Sequence, residues 1–145
     1  MLRATALACS LLCCAGQSAS AQWSRLERPR LTDPQDKLFP LDATFQLISI
    51  NGKPVNEGQS LTIDSSFRGS GFAGCNSWSA ATYPIKGQRI AMGPVALTKK
   101  MCAPAIMAQE RTFLYALHSG PNWTMEGPIL TVKSRAGTLQ FRRGF

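Results

Sequence analysis

Between positions 43 and 98, six runs of strand character follow one another at close spacing: 43–50, 60–67, 69–74, 77–85, 88–93 and 95–98. Three more, "NWTM", "ILTVK" and "TLQFRR", close the chain. Parallel strands need crossovers of a dozen residues or more, whereas antiparallel neighbours need only a tight turn. Such short gaps therefore demand a largely antiparallel sheet. In "ATFQLISI" the alternation sets Phe45, Leu47 and Ser49 on the inner face against Gln46, Ile48 and Ile50.

The punctuation agrees with this pattern. Asn51-Gly52 suits the tightest hairpin turn, whose two central residues need positive φ. Lys86-Gly87-Gln88 and Ala136-Gly137-Thr138 mark further turns. One segment alone has helical period: "APAIMAQERTFLYALHSG" carries Pro104 at its start and Gly120 just past its end. Ile106, Met107, Phe113, Leu114 and Leu117 form its apolar stripe, so Met107 and Phe113 are expected in the core. The expected fold is α+β and mainly antiparallel β: a curved sheet or partial barrel of about 8–9 strands, with one helix packed on it to cover apolar side chains that the sheet leaves open.

The N-terminus reads differently. Residues 1–21 combine Arg3, an apolar run of about 12 residues and an Ala19-Ser20-Ala21 ending, the order of a secretion signal peptide cleaved after Ala21. A lipid-anchored form is the lesser alternative, because Cys14 follows Cys13 where a small residue is needed. Residues 22–37, rich in charge and with two prolines, are expected to be a flexible linker, and 38–145 the folded domain. No later segment is long and apolar enough to span a bilayer. The expected location is periplasmic or secreted.

Cleavage changes the inventory. Of five cysteines only Cys75 and Cys102 remain, and loss of Arg3 leaves 15 basic against 8 acidic residues, a charge of +7. A basic exported protein can meet an anionic surface, although positive charge also serves solubility. Two cysteines in a small exported domain are expected to pair, with a buried free thiol as the alternative. Closing a loop of about 28 residues would stabilise the fold by roughly 3–4 kcal/mol in the chain-entropy model.

Catalytic sets are hard to assemble from what is left. His118 is the single histidine and falls at the expected helix end, where a cap or surface role suits it better than that of a base. One His and two Cys without metal-ligand spacing give no reason to expect zinc, and no cofactor is called for. Gly69, Gly71 and Gly74 lack the Lys-Ser/Thr ending of a phosphate loop and are read as bulges or points of close backbone approach. Glu110 lies between Met107 and Phe113, near the edge of the helix's buried face, with a solvated helix position as the other reading.

Taken together, the two cysteine segments resemble the META domain family, which includes the HslJ-like heat-inducible envelope proteins. Gly74-Cys75-Asn76 matches the family's first signature, and Thr98, Cys102, Met107, Glu110, Phe113 and Leu117 match the second at its spacing. Gly137-Thr138-Leu139-Gln140-Phe141 matches its closing strand. Phe45 stands for the usual Trp, Ala80 for the usual Gly, and Tyr83 falls one residue late. The resemblance implies a compact β-rich fold with one helix, a setting in the bacterial envelope linked to heat or antibiotic stress, and no known enzymatic activity.

The expected function is therefore a non-enzymatic envelope protein acting in stress tolerance by binding an envelope component. Its partner is an unidentified envelope protein or an anionic surface, and no nucleic acid is expected. A small-ligand or inhibitor module using the barrel mouth is the alternative, with Trp78 and Tyr83 as candidate contact residues.

Overall fold

The computed structural model describes residues 37–55 and 58–144. The signal-peptide segment and all of the expected linker except Lys37 lie outside the described residues.

Strands β1 (Thr44–Ile50), β2 (Lys53–Pro54), β3 (Ser60–Ile63), β4 (Arg68–Phe72), β5 (Ser77–Ile85), β6 (Arg89–Met92) and β7 (Ala96–Leu97) precede the helix α1 (Pro104–His118). β8 (Asn122–Glu126), β9 (Ile129–Ser134) and β10 (Gly137–Arg143) follow it. Every pairing is antiparallel. The order β10-β9-β8-β6-β5-β4-β3-β1 joins its own ends, because β1 also pairs with β10 from Phe45↔Arg143 to Ile50↔Leu139. The curved sheet is thus a closed eight-stranded barrel, with β2 added beside β1 and β7 beside β5. Closure removes the open edges that an exposed sheet would otherwise present.

The Asn51-Gly52 turn forms with φ of 52° and 76°, and it pairs Ile50 with Lys53. The two-residue β2 that it creates carries no period of its own and was not expected. The inward pattern of β1 also needs correction. Leu47 pairs with Phe141, but the next pairs are Ser49↔Gln140 and Ile50↔Leu139, so Ile48 is the extra residue of a bulge. Past the bulge the alternation inverts. Ile50 sits in register with core Leu139, and Ser49 instead shares a face with Gln140, whose Oε1 accepts its hydroxyl at 2.9 Å.

Phe45, Leu61, Ile63, Trp123, Leu130, Val132, Leu139 and Phe141 fill the interior. From the helix, Phe113, Ala116 and Leu117 join them, one stripe at helical spacing. Phe113 meets Phe141 and Trp78 edge-on, at centroid distances of 6.1 and 6.3 Å. Ile106, Met107 and Leu114 are only half-buried. The helix stops at His118, and Gly120 turns away at φ 67°. It is the sole helix among the described residues and is not long and apolar enough to cross a membrane.

Candidate functional site

Leaving β4, the chain must reverse into β5 within a few residues. The Ala73 N–H closes the reversal on the Asn76 carbonyl at 2.7 Å, and Gly74 takes φ 115°, a backbone region costly for any residue with a Cβ. The reversal turns the N–H groups of Cys75 and Asn76 towards the helix. Glu110, 3% exposed, sits one turn before Phe113 on the helix's inner face and receives them. Its Oε2 accepts Asn76 N at 2.7 Å and Cys75 N at 3.3 Å, and its Oε1 accepts Asn76 Nδ2 at 2.9 Å. Burying a carboxylate is costly unless donors replace its water, and three donors do so here.

Asn76 is equally committed at its other end. Its Oδ1 accepts Thr98 Oγ1 and Lys100 N, both at 2.8 Å, while Nδ2 also reaches Lys100 O at 3.3 Å. Thr98 Oγ1 in turn accepts Ser77 N at 3.2 Å. Two residues on, Cys102 is disulfide-bonded to Cys75, with 6.0 Å between the Cα atoms. The disulfide suggests an oxidising, extracytoplasmic setting.

These links converge on one stretch of chain. From β7, where Ala96 and Leu97 pair with Ser79 and Trp78, to Cys102, the backbone is tied at Thr98, Lys100 and Cys102. Its side chains nevertheless face solvent: Lys99 and Lys100 are exposed, and Met101 is 88% exposed. A buried Glu–Asn pair therefore fixes an exposed segment that carries two cations and an apolar tip.

Gly74, Cys75, Asn76, Thr98, Cys102 and Glu110 are all brought together here. Phe113 and Met107 stand apart, the first in the core and the second half-buried on the helix. Trp78 differs from expectation. It is 3% exposed and its Nε1 donates to Ser60 O at 3.3 Å, so it packs and is not an exposed contact. Tyr83, of opposite parity on β5, is 48% exposed. Lys100 was not picked out from sequence because it enters through its backbone.

His118 is exposed and lies eight residues after Glu110, about 12 Å along the helix axis. No group of three or more metal-ligating side chains occurs among the described residues. A cavity of about 470 Å³ opens between the β1–β2 hairpin and the first half of the helix, lined by Ile50, Lys53, Val55, Ala108, Gln109 and Thr112 among others.

A family model described as "META domain" matches residues 37–144. An NMR structure of a protein 25% identical to this chain aligns with a TM-score of 0.61, over 69% of this chain and 87% of the other. An NMR structure of a protein from Burkholderia xenovorans, 19% identical, aligns with a TM-score of 0.57 over 78% and 97%, a likeness of fold. No curated protein matches.

Proposed function

The chain belongs to the META domain family, and from that premise we propose that it is a non-enzymatic exported envelope protein. In this reading it supports tolerance of heat or antibiotic stress by binding an envelope component through the pinned segment at 96–102. One observation carries the reading: the signature polar residues Asn76, Thr98 and Glu110 are spent on holding an exposed segment in place. Ordering a loop in advance lowers the entropy lost when a partner binds it. Lys99, Lys100 and Met101 suit a partner surface with negative charge and an apolar patch. Export rests on the N-terminal signal pattern and is consistent with the disulfide.

The test is complementation of a deletion strain. The parent gene is expected to restore growth under heat or envelope-active antibiotics, while a Lys99→Glu, Met101→Ser double variant with unchanged melting is not. A deletion with no stress phenotype, or full rescue by the double variant, would remove the support.

The cavity beside the helix favours a second reading, a small-ligand module. The barrel interior is filled, and this space is within the usual size range of ligand pockets, with apolar walls and Lys53, Gln109 and Thr112 as polar groups. Thermal-shift screening against lipids, peptides and cell-wall fragments, repeated with Ala108→Trp to fill the cavity, separates the two: stabilisation lost in that variant supports the ligand module.

A further inference from the structure

On the outside of the barrel, the strained residue Phe67 and the exposed Tyr83 form an aromatic pair with no apparent role in the core. The turn from β3 to β4 is closely determined. Asp64 Oδ1 accepts Ser66 N and Arg68 N at 2.9 and 2.8 Å, Phe67 N donates to Asp64 O at 2.9 Å, and Thr82 N donates to Phe67 O at 2.8 Å. These bonds hold Phe67 at φ 59°, where Asn or Gly would be comfortable and a bulky side chain is an outlier. Phe67 remains 42% exposed, and its ring reaches only Tyr83 among the described aromatic rings, at 5.7 Å between centroids and 37° between planes. Retaining strain for a side chain that the core does not use is a pattern of functional sites.

The surroundings narrow the ligand. A shallow pocket of about 370 Å³ is lined by Ser66, Phe67, Arg68, Ser79, Ala81 and Tyr83. Arg68 pairs with Ala81 across the ladder, on the same outer parity as Ser79 and Tyr83. No carboxylate among the described residues pairs with its guanidinium, and the Ser66 and Ser79 hydroxyls are engaged by no other described residue. Aromatic faces, free hydroxyls and an unpaired guanidinium together match a ring with apolar C–H faces, peripheral hydroxyls and one carboxylate. We propose that this pocket binds an acidic hexopyranose unit of a glycan, the sugar face lying on Tyr83 and Phe67 and its carboxylate on Arg68. The site shares none of Lys99, Lys100 or Met101, so it stands or falls apart from the pinned segment.

The test is calorimetric titration of the purified protein with mannuronate oligosaccharide, neutral manno-oligosaccharide and phosphatidylglycerol vesicles. The acidic oligosaccharide is expected to bind, with Tyr83→Ala weakening it by about tenfold or more. Arg68→Ala should abolish the preference for acidic over neutral sugar. Phe67→Asn should melt within about 5 °C of the parent, because relief of strain offsets the lost ring contact, yet bind as weakly as Tyr83→Ala. The proposal is overturned if the parent does not bind the acidic oligosaccharide, if it binds only the vesicles, or if Tyr83→Ala and Phe67→Asn bind as the parent does.

Discussion

Glu110 and Asn76 are joined twice: Glu110 Oε2 accepts the Asn76 backbone N–H at 2.7 Å, and Oε1 accepts its side-chain amide at 2.9 Å. One helix residue thereby fixes both the backbone and the rotamer of the residue that immediately precedes β5. Because the far end of Asn76 holds Thr98 and Lys100, disturbance of Glu110 is expected to reach the exposed segment two contacts away.

Glu110→Ala leaves three donors facing a buried space and is expected to cost about 2–4 kcal/mol of stability. Glu110→Gln keeps one acceptor but sets its amide donor against either the Asn76 amide or the two backbone N–H groups, and is expected to cost about 1–3 kcal/mol. Chemical denaturation midpoints of the two variants check the values and their order.

The disulfide ties the same segment covalently. A Cys75→Ala, Cys102→Ala double variant is expected to lose about 2–4 kcal/mol, and the amide hydrogens of Lys99 to Met101 should exchange faster than those of β9. In the mature parent, cleaved after Ala21 so that Cys75 and Cys102 alone remain, no thiol should label under denaturing, non-reducing conditions.

Gly71 on β4 lies against β3 where a side chain has no room: a Cβ there would run into the Ser60 carbonyl, which also accepts the Trp78 indole. Gly71→Ala is expected to cost about 1–3 kcal/mol through overpacking against the backbone. Its thermal melting temperature, measured beside that of Gly52→Ala in the open hairpin turn, distinguishes steric crowding from a purely conformational cost.

The fold was legible where its causes are local. Asn51-Gly52, Pro104 and Gly120 fall where φ demands them, and the stripe through Phe113 and Leu117 faces the core. The bulge at Ile48 was not legible, because it shows only when β1 is aligned with β10, some ninety residues later, and that pairing also closes the barrel. At the site, Gly74, Cys75 and Asn76 drew notice by their residue types, but the burial of Glu110 depends on donors from a distant turn. Trp78 and Tyr83 are both aromatic, but strand alternation places them on opposite faces, and only Tyr83 is outside. Phe67 carries no such signal, because nothing in "DSSF" says which turn residue takes positive φ.

The most direct test of the pinned segment as the binding surface is photo-crosslinking in cells, with a photoreactive side chain at position 101 and, as a control, at the exposed helix position 115. A discrete envelope adduct is expected from position 101, lost with Lys99→Glu and absent from position 115. The same adducts from both positions, or none from position 101 under heat or antibiotic stress, would contradict it.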